Sequence, residues 1–393
     1  MTVIEQWVEV HRLAVEGQVP AIARDVGGRL GELFLRGSRF RDVEAIASLT
    51  LTLGTDTDAL YHLGWAQSAT GRPQQALATY EQARRLRRAD GDRGAEAAIL
   101  NNIGHVHDSL GDRQRALDYF QQVLPIWREV DDRRSEAITL SNIGGVYDGL
   151  GDRRLALEYF AQALPVSRAV GDRAGEAATL NNIGNVYHRL GDSRRALAYF
   201  QQASPIWREA GDRLGEAATL NSIGGVYQIR GDLRQALAYF EQALPIRREV
   251  GDRLGEATTL NSIGGVYQIR GDLQEALAYF EQALAIQREV GDRVGEAITL
   301  NNIGGVYQRW SDLRRALEFY EQALPTQREV GDRASEAVTR YNMALIYREE
   351  GDLDRAVSEL EIVVELDLQV EHPDLESDTA MLEQVRRERD TGR

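Results

Sequence analysis

Neither cysteine nor lysine occurs in this sequence, and all 46 basic residues are arginine. The absence of cysteine excludes a disulfide framework and any thiolate metal site, and it fits a reducing compartment. The absence of lysine excludes a P-loop lysine, a Schiff-base lysine and the phosphate-binding lysine of kinases. Positive charge is also in deficit, with a formal net charge of −15 over 393 residues. Phosphate backbones draw their affinity from clustered positive charge, so nucleic acid is not an expected partner. No run of 18 apolar residues occurs, and no basic stretch followed by an apolar core opens the chain. The chain therefore reads as cytoplasmic, without a signal peptide and without a membrane partner.

What is present is a repeat with a period of 40 residues. One column reads Gly64, Gly104, Gly144, Gly184, Gly224, Gly264, Gly304 and Ala344, and a second runs from Ala76 to Ala356 at the same spacing. A third column, from Tyr80 through Phe120, Phe160, Phe200, Phe240 and Phe280 to Tyr320 and Leu360, lies one helical turn beyond the alanines. A strict repeat replaces the two or three globular domains that this length would suggest with stacked units that touch their neighbours. Within one copy, Leu180, Ile183, Gly184 and Tyr187 follow the i, i+3, i+4, i+7 stripe of an amphipathic helix, and Ala196, Phe200 and Ala203 mark a second. Gly191-Asp192 and Gly211-Asp212 place glycine where a helix ends and aspartate where the next begins. The fold class is thus all-α, a solenoid superhelix of eight helix pairs. Prolines 125, 165, 205, 245 and 325 fall late in the second helix, where other copies carry Arg85, Ala285 and Glu365. A kink is expected there and not a stop.

The pattern Leu-x-x-Ile-Gly-x-x-Tyr followed by Ala-x-x-x-Phe resembles the tetratricopeptide repeat, and the resemblance covers about residues 56 to 372. The unit is six residues longer than the family's usual 34. Its proline does not sit at the family's helix-terminating position. With its Gly-Asp-Arg linker it is similar to the subfamily in kinesin light chains, in Pins-type spindle-orientation adaptors and in the sensor arms of bacterial NB-ARC signalling ATPases. That resemblance implies partner binding, commonly of an extended peptide, along a concave surface lined by the first helices. Residues 1–55 lack the register and read as a helical cap with one degenerate copy around Leu30-Gly31 and Phe34, after a helix carrying Val3, Ile4, Trp7, Val8 and Val10. Residues 373–393 read as a capping helix with Leu375, Met381, Leu382 and Val385 inward. The stretch Ile22–Gly27 has a faint helix-turn-helix flavour but little positive charge.

Opposite the packing stripe of the first helices lies a face of small residues and amides. One column runs Ala98, Ile138, Ala178, Ala218, Thr258, Ile298 and Val338. The next runs Asn102, Asn142, Asn182, Ser222, Ser262, Asn302 and Asn342, and a third His105, Gly145, Asn185, Gly225, Gly265, Gly305 and Leu345. Asparagine and glycine inside a helix cost up to about 1 kcal/mol each relative to alanine, so these columns call for a reason. One reason is a carboxamide ladder that holds the backbone of a peptide while the glycines make room. The other is bonding between neighbouring helices, for which the flanking column Asn101, Ser141, Asn181, Asn221, Asn261 and Asn301 is better placed. At the groove edge, Arg189, Arg309 and Arg348 extend the candidate site, and Arg340, Arg348 and Arg309 are placed to receive carboxylates, although solvated charge is the usual reading of such a column. No His-Glu-x-x-His, Gly-x-Ser-x-Gly or phosphate loop occurs, so no enzyme activity, cofactor or metal is expected. His105, His107 and Asp108 make a poor metal site, and His107, which replaces a packing tyrosine, reads as a core residue. Two classes stay open: a free-standing adaptor for a protein or peptide segment, and a sensor arm working with a signalling ATPase.

Overall fold

The computed structural model describes residues 2–36, 39–370 and 372–392. Of the cap expected over residues 1–55, Met1, Gly37 and Ser38 lie outside the described residues, as do Glu371 of the repeat array and Arg393 of the C-terminal cap. Among the described residues there are twenty helices and no strand. They fall into two compact units, Met1–Asp192 and Ser193–Arg393.

In the first unit, α1 (Val3–Glu16), α2 (Pro20–Arg36) and α3 (Phe40–Leu51) precede the repeats. Helix α2 runs without interruption through Ile22–Gly27, so the faint helix-turn-helix pattern is one continuous helix. Val8 of α1 packs on Leu30 and Phe34, whereas Val3 and Val10 are exposed. The pairs α4/α5 (Thr57–Ala69, Pro73–Asp90), α6/α7 (Arg93–Ser109, Arg113–Glu129) and α8/α9 (Arg133–Gly149, Arg153–Ala169) follow, and α10 (Arg173–Arg189) closes the unit. The second unit opens on α11 (Ser193–Ala210) and continues with α12/α13 (Arg213–Ile229, Leu233–Glu249), α14/α15 (Arg253–Arg270, Leu273–Val290), α16/α17 (Arg293–Arg309, Leu313–Glu329) and α18/α19 (Arg333–Glu349, Leu353–Val370). Helix α20 (Leu375–Thr391) lays Leu382 and Val385 on Met343, Tyr347 and Leu360.

The boundaries have local causes. Asp132, Asp172, Asp252 and Asp332 each accept a hydrogen bond from the backbone N–H three residues on, which satisfies a donor that the helix start leaves free. Glycines such as Gly151 (φ 84°) and Gly351 (φ 81°) take the left-handed conformation that ends the preceding helix. Two linkers lack that glycine, and Asp131 (φ 56°) and Ser311 (φ 60°) adopt the same conformation at a steric cost. Helices α7, α9, α11, α13 and α17 run through their prolines as expected.

Inside the pairs α4/α5, α6/α7, α8/α9, α12/α13, α14/α15 and α16/α17 the glycine column is a contact requirement. A Cβ on Gly144 would stand 2.7 Å from Phe160 Cε1, and one on Gly264 2.6 Å from Phe280 Cε1, with both rings fully buried. The second aromatic layer stacks: Tyr147 on Tyr159 and Tyr267 on Tyr279, both with ring centroids 5.5 Å apart. His107 takes the same place against Tyr119, also at 5.5 Å, as the core residue expected of it.

Candidate functional site

Within each unit the first helices of successive repeats touch one another, α6 on α4 and α10 on α8 in the first, α14 on α12, α16 on α14 and α18 on α16 in the second. The amide columns therefore form a continuous face in each unit. On that face Ile138, Ile298 and Val338 are exposed by more than two fifths, and the asparagines are half-buried.

The structure sorts the ladder into committed and uncommitted members. Asn142 Nδ2 donates to His105 Nε2 at 2.9 Å or, as that nitrogen's proton dictates, faces it, and lies 3.5 Å from Asn101 Oδ1. Asn302 Nδ2 donates to Asn261 Oδ1 at 3.2 Å. The flanking asparagines do join neighbouring helices: Asn101 and Asn261 also accept from Thr139 and Thr299, both at 3.2 Å. Ser262 donates to the Thr258 carbonyl of its own helix at 3.0 Å. Asn102 lies beside Tyr61 and Tyr80, whose burial pushes both phenols up, and its Nδ2 is buried without a hydrogen-bond partner. By contrast, among the described residues no hydrogen bond engages the side chains of Asn182, Asn185, Ser222 or Asn342. For Asn182 the reason is visible in the sequence: the flanking residue of the preceding repeat is Ser141, and its hydroxyl pairs with Thr179 at 3.0 Å.

The glycines divide in the same way. A Cβ on Gly145 or Gly225 would meet nothing within 4 Å, and near Gly265 and Gly305 stand the amide ends of Gln228 and Gln268, at 3.4 and 3.0 Å. Packing explains Gly144 and Gly224; it does not explain their neighbours Gly145 and Gly225.

The edge arginines are spoken for. Arg189 pairs with Asp148, and Arg309 donates to the Gln268 carbonyl. Arg348 is bound by both carboxylate oxygens of Glu388, at 2.8 and 2.5 Å, and Arg340 is buried between Glu336 and Glu359. Arg340 and Arg348 do receive carboxylates, but these are the chain's own.

A further column escaped the sequence reading. Glu136 accepts from Arg128 Nε at 2.7 Å and Arg133 Nη1 at 2.5 Å, and Glu176, Glu216 and Glu256 repeat the arrangement with the arginines eight residues and three residues before each. Each glutamate is buried and joins the end of one repeat to the start of the next. The recurring Arg-x4-Arg-x2-Glu spacing was its signal.

Models of the tetratricopeptide repeat match residues 95–169, 175–249 and 255–329, and others of the same description match 58–86 and 337–369. No curated protein sequence matches the chain. Among solved structures, the apo quorum sensor NprR from B. thuringiensis is 16% identical with a TM-score of 0.62, covering 92% of this chain and 97% of that one. A signal transduction ATPase with a tetratricopeptide repeat sensor from Pyrococcus horikoshii is 15% identical with a TM-score of 0.64, covering 92% of this chain and 54% of that one. A Rap protein complexed with competence and sporulation factor is 17% identical with a TM-score of 0.57, covering 84% and 97%. At these identities the likeness is one of fold.

Proposed function

The chain belongs to the tetratricopeptide repeat family, and from that premise we propose that it is a non-catalytic scaffold holding an extended peptide or partner segment along the ladder face of its first helices. In this reading residues 56–372 form the binding array and residues 1–55 and 373–393 cap it. One observation carries the reading: Gly145 and Gly225 sit in mid-helix, where glycine costs about 1 kcal/mol, with open space where a side chain would stand. A cost that internal packing does not require is accounted for by a ligand backbone that approaches the helix closely. Uncommitted Asn182 and Asn185, one turn apart on α10, are able to donate to and accept from such a backbone, and exposed Ile138 of the same unit offers apolar contact for its side chains.

The test is selection of binders from a random peptide library on the parent protein, then titration against Asn182→Ala/Asn185→Ala. Loss of about 0.5–1.5 kcal/mol of binding per hydrogen bond is expected. Selected peptides that bind parent and variant alike would exclude these amides as the site. A second reading, a sensor arm working with a signalling ATPase, draws support from the likeness in fold to the sensor-bearing protein of Pyrococcus horikoshii. It uses the same face and differs in what the bound state controls.

A further inference from the structure

In the second unit a cavity of about 340 Å³ opens between α18, the end of α19 and the start of α20, lined by Val338, Tyr341, Asp367, His372, Asp374 and Asp378. Val338 belongs to the exposed column of the ladder face. Asp367 is fully buried, and neither carboxylate oxygen has a hydrogen-bond donor. His372 Nδ1 stands 3.9 Å from Asp367 Oδ1, beyond hydrogen-bond distance. A buried carboxyl that makes no hydrogen bond is a costly feature for a fold to carry.

The repeat shows how unusual this residue is. The equivalent positions in earlier copies are Gln327, Gln287, Arg247, Trp207, Ser167 and Trp127, none of them acidic. Gln327 Nε2 donates to Thr339 Oγ1 at 2.9 Å, and Trp127 Nε1 to Thr139 Oγ1 at 3.1 Å. In those two copies the position supplies a donor to the threonine of the following helix, whereas Trp207 Nε1 is buried without a partner and Arg247 turns to Asp252. Asp367 makes no such bond, and the corresponding Thr379 donates its own proton to the Leu375 carbonyl at 2.7 Å. What Asp367 meets instead is Asp378, whose carboxyl is pushed up to about 6 by burial and by the neighbouring Asp367. Asp374 adds a third carboxylate at the rim. The nearby cation Arg348 is held by Glu388. Among the described residues no three of these donors are arranged to hold a metal ion. A planar guanidinium, by contrast, donates to two carboxylates at once and stacks on an aromatic ring such as Tyr341.

We infer that this cavity is a subsite for the guanidinium of an arginine side chain, paired with Asp367 and Asp378 beside the Tyr341 ring. The inference rests on the proposed ladder reading only for what carries that arginine, namely the bound segment.

The test uses the full chain and ligand-observed NMR with N-acetyl-arginine-methylamide, its lysine and citrulline counterparts, and magnesium and zinc chloride. Saturable binding of the arginine compound is expected, with the uncharged citrulline compound weaker by about tenfold or more. Asp367→Asn should weaken the arginine compound by a similar factor while its thermal midpoint holds or rises, because the substitution removes a buried carboxyl that makes no hydrogen bond. Should that variant fail to fold, Asp378→Asn is expected to show the same loss. Equal binding of citrulline, preference for lysine, saturation by either metal at these residues, or undiminished binding to the variants would each overturn the assignment. Asn182→Ala/Asn185→Ala should leave fragment binding unchanged, so failure of the ladder reading and failure of this one give different results.

Discussion

Replacing Gly145 with alanine should stabilise the first unit, and replacing its neighbour Gly144 with alanine should not. Both lie in the interior of α8, so both gain about 0.8–1.0 kcal/mol of helix propensity from the added methyl. At Gly145 nothing stands within 4 Å of the new Cβ, and the gain is retained in full. At Gly144 the new carbon would lie 2.7, 2.8 and 3.0 Å from Phe160 Cε1, Cδ1 and Cζ. That ring is fully buried and cannot withdraw, so overpacking of about 1–3 kcal/mol opposes the propensity gain. The two variants should therefore differ by roughly 1–3 kcal/mol although the substitutions are adjacent and identical. Urea unfolding followed by far-ultraviolet circular dichroism measures the difference. For a cooperative unit of this size, Gly145→Ala corresponds to a rise of about 2–4 °C in midpoint. If Gly145→Ala lowered stability, or if both variants moved alike, the case for an unfilled space above Gly145 would collapse, and with it the main support for a ligand backbone there.

Three further outcomes follow from particular contacts. Glu216→Gln should cost about 1.5–3 kcal/mol, since a buried carboxylate accepts from Arg208 at 3.0 Å and Arg213 at 2.5 Å; an unchanged urea midpoint would show that the two half-exposed arginines contribute nothing. Ser311→Gly should stabilise by a few tenths to about 1 kcal/mol by relieving a left-handed non-glycine residue, which calorimetry on the full chain would register, and a loss would mean the Ser311 side chain is needed. Because the Asp378 pKa is raised in the folded state, its contribution favours folding most below the unfolded value near 3.8 and is lost as pH rises through about 6; hydrogen-exchange protection factors on α20, taken relative to the intrinsic rate at each pH, should be larger at pH 5 than at pH 7, and Asp378→Asn should remove that difference.

How much of this was legible depended on whether a feature repeats. The helix pairs recur in every copy, and their aspartate caps, left-handed glycines and the Gly144–Phe160 type of contact recur in most, so spacing alone exposed them. The buried glutamate between two arginines also recurs, but it joins the end of one repeat to the start of the next, and a reading made one helix at a time does not pair them. Arg348 was open to misassignment for the opposite reason: its partner Glu388 lies in α20, outside the register, where no column predicts a contact. The commitment of Asn142 and Asn302 depends on what occupies the flanking position one repeat earlier, asparagine at 101 and 261 but serine at 141. At Asn182 that one substitution leaves the amide free, whereas Asn342 is free although asparagine stands at 301, where Oδ1 is buried without a partner.

That last point separates the two roles of the ladder by experiment. Asn302→Ala removes the Nδ2–Asn261 bond, worth about 0.5–1.5 kcal/mol, against a propensity gain of roughly 0.5 kcal/mol. Asn261 Oδ1 keeps its Thr299 donor at 3.2 Å, so no acceptor is orphaned and the net change should lie between zero and a loss of about 1 kcal/mol. Asn182→Ala breaks no bond and should gain the full propensity term of roughly 0.5 kcal/mol. Urea midpoints of the two single variants, read beside their affinities for a selected peptide, distinguish the roles. Asn182→Ala should be more stable than the parent and bind more weakly, the signature of a residue whose side chain serves only the ligand. If Asn182→Ala instead destabilises the chain as Asn302→Ala does, its amide has an internal partner and the ladder joins helices throughout. If it stabilises the chain and binding is untouched, the ligand lies elsewhere on the face, and Gly145 and Gly225 become the residues to fill next.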